Sequence, residues 1–123
     1  MKLSEIKHIL RAEVICGEDL LDREASSAFS ADLMSDVLAF AQGNCLILTG
    51  LINSQVIRTA EMCDAAAVLF VRGKRPPPET VELAKANDLP LLSTEHLMYV
   101  SCGLLFQNGL DGCWRPEERE GDI

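Results

Sequence analysis

Apolar residues in the second half of the chain form short continuous runs, and a segment with helical spacing follows each run. The runs are Cys45–Thr49, Ala66–Val71 and Leu89–Leu92. Continuous apolar runs of this length are typical of strands that are buried on both faces, as in a parallel sheet. Strands that alternate with helices over short loops favour a central parallel sheet flanked by helices, so we predict that these three strands lie parallel.

The first half of the chain carries a weaker pattern. Leu3–Leu10 and Leu33–Ala41 have the apolar spacing of helices, and Ala12–Cys16 is expected to be a short strand ended by a glycine. Ala25–Ala31 is expected to be extended. The order of the strands within residues 12–31 stays open.

Candidate capping residues mark where the predicted helices begin. They are polar residues before an apolar-periodic segment: Ser30 or Asp32 for the second helix, Asn53 or Ser54 for the third, and Ser93 or Thr94 for the last helix, Glu95–Asn108. Together the elements predict a three-layer α/β/α sandwich with a mainly parallel sheet. This domain is expected to cover residues 1–112, with a polar, flexible tail over residues 113–123.

Composition indicates one soluble domain. Hydrophobic residues make up 48% of the 123 residues and charged residues 24%, which is the balance of a globular protein. The net charge of −8 excludes nucleic acid as the main partner, because binding a phosphate backbone requires a basic face. No apolar stretch approaches the about 20 residues of a membrane span, and residues 1–8 lack the apolar core of a signal peptide. We therefore expect a cytoplasmic protein with no membrane partner.

The five cysteines occur without a CxxC pair; they are Cys16, Cys45, Cys63, Cys102 and Cys113. Paired short spacings are typical of zinc sites and of disulfide frameworks. We therefore interpret the cysteines as small apolar residues in a reducing compartment. Cys113 alone is expected to be accessible.

Motifs of catalysis and of metal binding are missing from the sequence. It contains no phosphate loop, no GxGxxG and no GxSxG. His8 and His96 have no neighbour at metal-ligand spacing. We therefore predict no catalytic residue, no metal site and no cofactor.

A candidate ligand site lies at the carboxyl ends of the predicted parallel strands. Arg72, Lys74 and Arg75 form the densest basic patch, and ligands of open α/β sheets bind at this edge. Helices that begin at the same edge would add backbone N–H donors for an anion such as a phosphate or a carboxylate. The candidate residues are Thr49, Gly50, Asn53, Arg72, Gly73, Lys74, Ser93 and Thr94. The alternative is that these groups only cap helices and close turns.

Two stretches of the chain resemble a known family. The first stretch is Leu21–Ser26 followed by Ser30–Val37, and the second runs from Ala66–Gly73 through Pro77–Glu79 to Leu89–Thr94. They look like the DRTGG domain, a family similar to the N-terminal domain of HPr kinase/phosphorylase. Asp22 and Arg23 match the Asp-Arg pair of the motif that names the family, whereas Glu24, Ala25 and Ser26 stand where that motif has Thr-Gly-Gly.

The resemblance implies a three-layer α/β/α fold like that N-terminal domain. It also implies an accessory domain, found beside kinases, phosphate acetyltransferases or CBS modules, with no established catalytic activity of its own. The sequence is therefore interpreted as a non-catalytic regulatory or protein-interaction module. Such a module either senses a nucleotide or phosphate ligand or docks on a larger metabolic or redox enzyme.

Two further interpretations concern activity and assembly. The alternative function is a small enzyme or a kinase-related protein, and the missing phosphate loop argues against an HPr serine kinase. Apolar residues on nearly every predicted helix cannot all face one sheet, and two-fold pairing is the commonest way to cover them, so we predict a homodimer. They include Met34, Leu38, Phe40, Leu105 and Phe106.

Overall fold

Five strands form one sheet between two layers of helices in the computed structural model, which describes residues 1–113. The strands are β1 (Glu13–Cys16), β2 (Ser27–Ser30), β3 (Cys45–Thr49), β4 (Ala67–Phe70) and β5 (Leu91–Ser93). Their order across the sheet is β1-β5-β4-β3-β2. Strands β2 to β5 are parallel and β1 pairs antiparallel with β5. The predicted parallel arrangement of the three central strands is confirmed, and the open order within residues 12–31 resolves into the two edges of the sheet.

Five α-helices cover the two faces of the sheet. They are α1 (Leu3–Leu10), α2 (Met34–Phe40), α3 (Ser54–Met62), α4 (Pro78–Ala86) and α5 (Met98–Gln107). Because β2 to β5 lie side by side in chain order, right-handed crossovers place α2, α3 and α4 on the same face. Helices α1 and α5 pack against each other on the opposite face. The predicted three-layer α/β/α sandwich is confirmed.

The central strand β3 is covered on both faces, which explains its continuous apolar run. Leu46 and Leu48 contribute to the hydrophobic cluster beneath α1 and α5, whereas Ile47 contributes to the cluster beneath α2, α3 and α4. Successive side chains of a strand point to opposite faces, and both faces are covered here. Every residue of β3 is therefore buried.

The beginning of α5 differs from the prediction. The helix starts at Met98 rather than Glu95, and its N-cap, Leu97, makes no side-chain capping bond. The predicted caps act elsewhere: the Ser93 hydroxyl donates to Lys74 O (2.8 Å), and the Thr94 hydroxyl donates to Leu10 O (2.8 Å). These hydroxyls join the sheet to a neighbouring loop and to the end of α1, and the chain turns through a bend at Glu95 and His96 before α5 begins.

The other two cap predictions have opposite outcomes. Asn53 is confirmed as the cap of α3, since its Oδ1 accepts a hydrogen bond from Gln55 N (3.0 Å). The prediction for α2 is wrong, because its N-cap is Leu33, without a side-chain bond. Ser30 ends β2, and the carboxylate of Asp32 bonds to the end of β3 instead.

The last described residues lie beside the edge strand β2. Gly112 forms a parallel bridge with Ala28, and Cys113 N donates to Ala28 O (3.0 Å). The Cys113 thiol lies 3.0 Å from the Ser27 hydroxyl and is buried. The prediction that Cys113 is accessible is therefore wrong, because this short extended segment covers it against the sheet. The rest of the predicted tail, residues 114–123, lies outside the described residues.

Candidate functional site

The candidate ligand residues meet at the carboxyl edge of the parallel strands. Thr49 pairs with Phe70 in register, and Phe70 pairs with Ser93, so the three strands end side by side. The loops that follow β3, β4 and β5 therefore lie next to one another. The structure brings together the candidates Thr49, Gly50, Arg72, Gly73, Lys74, Ser93 and Thr94, and places Asn53 in the same loop as Gly50.

Hydrogen bonds join the loops after β4 and β5. Arg72 N donates to His96 O (2.9 Å), and Gly73 N donates to Thr94 O (2.7 Å). At this point one loop leads to α4 on one face and the other leads to α5 on the opposite face, which is where open α/β sheets form a binding crevice. The two backbone bonds hold these loops against each other across that crevice.

Gly73 lies at this close approach of the two loops. Its φ of +65° lies in the left-handed region, and a Cβ added there would stand 2.7 Å from a Glu95 carboxylate oxygen. The left-handed conformation favours glycine, although Arg72 beside it adopts a similar φ of +61°, and the Glu95 carboxylate is the movable end of a side chain. The glycine therefore serves the contact between the two loops.

Asp32 is a member of this edge that the sequence analysis did not include among the site residues. Its Oδ1 accepts hydrogen bonds from the Thr49 hydroxyl (2.9 Å) and from Gly50 N (2.7 Å). The Thr49 oxygen in turn accepts from Leu51 N (3.1 Å). The sequence signal available was a single aspartate after an edge strand, and that signal is shared by helix caps.

Arg72 and Lys74 keep exposed cationic side chains at this edge. The Arg72 guanidinium lies over Gly50, where an added Cβ would stand 2.7 Å from its Nη2. Within residues 1–113 neither side chain forms an ion pair, whereas Arg75 pairs with Glu13. The hydroxyls of the candidate set donate within the fold, and so do the N–H groups of Gly50 and Gly73. Arg72 and Lys74 are therefore the exposed charged groups of the candidate set that could contact an anion.

The family-motif residues Asp22 and Arg23 lie at the opposite, amino edge of the sheet. Arg23 Nη1 donates to Ala66 O and to Asp88 O, both at 3.1 Å. These oxygens belong to the segments that lead into β4 and β5. Arg23 therefore joins two parallel strands where they begin. The candidate ligand residues lie at the other end of these strands.

The backbone conformation at the three positions that depart from the family motif does not require glycine. Within residues 1–113, positive φ angles occur at other positions and not at Glu24, Ala25 or Ser26. Ala25 is fully buried and its N–H donates to Met1 O (2.8 Å). The backbone there adopts conformations that any L-residue allows.

Three of the thiols, those of Cys16, Cys45 and Cys63, are poor nucleophiles at neutral pH. Burial raises the pKa of Cys16, Cys45 and Cys63, and the Cys113 thiol raises the pKa of Cys45 further through its charge and a hydrogen bond. A protonated thiol neither attacks nor binds a metal. Within residues 1–113 no group of His, Cys, Asp or Glu side chains is arranged to hold a metal ion, and no helix combines the length and apolar character needed to cross a membrane.

Large exposed apolar side chains lie on two helices: α5 with its N-cap carries Leu97, Tyr99, Val100 and Phe106, and α2 with its N-cap carries Leu33, Leu38 and Phe40. Tyr99 is 87% exposed and Phe106 65%. A cavity of about 580 Å³ lies beside them, between α5 and the edge of the sheet. Of the apolar residues named for the predicted dimer, Phe106, Leu38 and Phe40 are exposed; Met34 and Leu105 are buried in the two clusters and cannot take part.

The DRTGG domain family model matches residues 5–105. The chain therefore belongs to the DRTGG domain family, and the predicted resemblance is confirmed. A solved structure with the same fold contains the CBS and DRTGG domains of the regulatory region of Clostridium perfringens pyrophosphatase, complexed with its activator, diadenosine tetraphosphate. The TM-score is 0.71 at 19% sequence identity, over 86% of this chain and 46% of that chain. The chain thus spans less than half the length of that structure. The comparison of this chain with curated proteins found no match.

Proposed function

We propose that this DRTGG domain is a regulatory module without catalytic activity of its own, which pairs as a homodimer and acts on a larger metabolic or redox enzyme. The apolar surface of α5 is the observation that carries this proposal. A helix that is apolar on all sides is normally buried, yet Leu97, Tyr99 and Phe106 face solvent. Neighbouring exposed apolar side chains on one helix are typical of an interaction surface.

The polar chemistry of the carboxyl edge supports a non-catalytic role. The hydroxyls of Thr49, Ser93 and Thr94 all donate to acceptors within the fold. Ser93 and Thr94 donate to backbone oxygens, which are not bases; Thr49 donates to the Asp32 carboxylate but is fully buried, so it presents no nucleophile to a substrate. The edge is built to hold its own loops together.

Reduced thiols support a cytoplasmic location. All five cysteines are free in the structure, and unpaired cysteines are typical of proteins in a reducing compartment. We place the domain there, beside the enzyme that it regulates.

Light scattering of the full chain at micromolar concentration tests the homodimer. A mass twice the 13.5 kDa of one chain supports the proposal. A mass of 13.5 kDa at that concentration contradicts it, because the α5 surface would then be exposed in solution.

A second candidate function is binding of a phosphate-bearing ligand at the carboxyl edge. Two exposed cations, Arg72 and Lys74, stand there without an ion pair among the described residues, next to the start of α3. The related pyrophosphatase regulatory region is complexed with a dinucleotide polyphosphate. Charge-assisted bonds from arginine and lysine to phosphate would supply the affinity, while Gly50, Gly73, Thr94 and their neighbours hold the loops in place.

Calorimetric titration with inorganic phosphate and with adenine nucleotides tests this second function. Arg72→Ala and Lys74→Ala should each weaken binding by about tenfold, the loss of one charge-assisted contact. Lys85→Ala is the matched control, because Lys85 lies in the last turn of α4 and pairs with Glu82. Absence of binding, or equal affinity in all three variants, rules the ligand site out and leaves docking as the function.

A further inference from the structure

A basic cavity lies where the end of α1 meets α5. Lys7, His8 and Arg11 line this cavity, whose volume is about 600 Å³, and we call these three residues the basic cluster. Leu104 of α5 and Asn108, the C-cap of that helix, line its other side. Among the described residues that line the cavity, none is acidic. The cavity therefore gathers positive charge on a chain whose net charge is −8.

The acidic side chains nearest along the chain are engaged elsewhere. Glu5 lies in the first turn of α1, and its carboxylate accepts a hydrogen bond from Lys2 N (3.4 Å). Glu13 follows the helix, and its carboxylate pairs with Arg75. Within residues 1–113 no member of the basic cluster forms an ion pair. Like charges that share a cavity repel each other, and an anion between them removes this repulsion.

Arg11 occupies a position that the backbone does not reserve for arginine. It is the C-cap of α1, with a φ of +49° in the left-handed region, where glycine or asparagine is favoured. Three of the four other non-glycine residues with positive φ in the described chain are asparagine or aspartate. Lys7 and His8 already place basic groups in the last turn, where the helix dipole favours them. The Arg11 guanidinium has no hydrogen bond or ion pair within residues 1–113, so the fold gains no contact from it.

The size and the walls of the cavity indicate the kind of ligand that fits. Its volume lies in the range of small-molecule sites, about 300–1,000 Å³. Lys7 and Arg11 supply two positive charges, which match a phosphate monoester with a charge of about −1.5 to −2 at pH 7. Arginine bonds phosphate oxygens through two parallel N–H groups, and lysine adds a point charge. Ile9 and Leu104 are half-buried and give the cavity an apolar wall.

We propose that the cavity between α1 and α5 binds a small organic phosphate. The basic cluster holds the phosphate group, with a ring N–H of His8 as an additional donor, and Ile9 and Leu104 contact the apolar part of the ligand. None of the residues that line this cavity belongs to the candidate set at the carboxyl edge of the sheet. The inference goes beyond the homodimer proposed above and does not depend on it.

Nuclear magnetic resonance of the ¹⁵N-labelled full chain tests the site with phenyl phosphate as the probe. We expect the backbone amide signals of residues 7–12 and of Asn108 to shift and to saturate during the titration. The amide signals of Gly50 and Gly73, at the carboxyl edge, should stay in place. The same spectra show whether each variant below keeps its fold.

Variants of the basic cluster test whether its charges carry the affinity. Lys7→Gln and Arg11→Gln should each weaken the binding of phenyl phosphate about tenfold, the loss of one charge-assisted contact. Lys2→Gln is the matched control, because it removes the same charge from the other end of α1, outside the cavity, and should keep the parent affinity. Equal affinities for the three folded variants overturn the proposal.

Two simpler anions test the class of ligand. Inorganic phosphate lacks the ring, and benzoate keeps the ring with a single negative charge. Each should bind about tenfold more weakly than phenyl phosphate, because each lacks one of the two contributions. Equal affinity for either anion overturns the assignment of an organic phosphate. Signals that do not saturate, or that shift only at Gly50 and Gly73, overturn the site, and the second of these results supports the carboxyl edge instead.

Discussion

The guanidinium of Arg23 donates a hydrogen bond to the backbone oxygen of Ala66, 43 residues further along the chain. The same nitrogen donates to Asp88 O. The arginine of the family motif thus joins the starts of β4 and β5. Its position at the amino edge separates it from the cations Arg72 and Lys74, so the motif contributes to the fold and the ligand candidates stand elsewhere.

Replacing Arg23 with Met should lower the free energy of unfolding by about 1.5–3 kcal/mol, because two backbone oxygens lose a charged donor. Urea unfolding followed by circular dichroism measures this change. Arg58→Met, at an exposed arginine on α3, is the matched control and should stay within about 0.5 kcal/mol of the parent chain. Equal free energies of unfolding for the two variants would show that the hydrogen bonds of Arg23 do not stabilise the fold.

Asp32→Ala should destabilise the fold by about 1–2 kcal/mol, since it removes the acceptor of the Thr49 hydroxyl and of Gly50 N. Asp32→Asn should destabilise the fold less, because the amide oxygen can still accept a hydrogen bond from Thr49 or from Gly50 N. Asp36→Ala, at an exposed aspartate in the first turn of α2, controls for loss of charge and should lose only about 0.3–0.5 kcal/mol. Thermal unfolding monitored for the three variants gives the ranking, and a different order contradicts the role of Asp32.

Stability should fall as the pH rises above about 8.5, where thiols of an unfolded chain ionise. Burial raises the pKa of Cys16, Cys45 and Cys63, so the folded chain keeps protons that the unfolded chain loses. The unfolded state then binds fewer protons, and the free energy of unfolding decreases with pH. Below the unfolded pKa the full contribution is present.

Urea unfolding between about pH 7.5 and about pH 9.5 measures this slope. Cys45→Ala should show a shallower slope than the parent chain, whatever its stability at neutral pH. Val56→Ala truncates a buried side chain of the same cluster without removing a thiol and should keep the parent slope. Identical slopes in all three chains would contradict the linkage.

Asp88→Gly should stabilise the fold by up to about 1 kcal/mol. Asp88 follows the end of α4 with a φ of +50°, a left-handed conformation that favours glycine at this position of a helix terminus. Asp88→Ala keeps the Cβ and the strain, so it should bring no gain. Differential scanning calorimetry compares the two variants, and equal melting temperatures would rule out the strain.

The elements that the sequence predicted correctly are those whose hydrophobic period is set by their own residues. Cys45–Thr49 and Leu3–Leu10 have the predicted bounds, because complete burial of a strand and one-sided burial of a helix each impose a local period. Asn53 caps α3 for the same reason: its acceptor contact is two residues away.

Contacts between distant residues explain what the sequence did not predict. The hydroxyls of Ser93 and Thr94 are typical of caps, but their acceptors lie 19 and 84 residues away, and these contacts replace capping. The Asp32 carboxylate and the Arg23 guanidinium also have partners that only the assembled sheet brings close. Cys113 is buried by pairing with β2, which no local pattern encodes.

Sedimentation equilibrium of Phe106→Asp beside Met62→Asp tests the central claim most directly. Both side chains are exposed, at 65% and 72%, but Phe106 lies on α5 and Met62 on α3 in the other layer, so each variant adds the same charge to a different face. A homodimer that covers the α5 surface predicts a monomer of 13.5 kDa for Phe106→Asp and a dimer for Met62→Asp and the parent chain. A dimeric Phe106→Asp variant with unchanged affinity would contradict it.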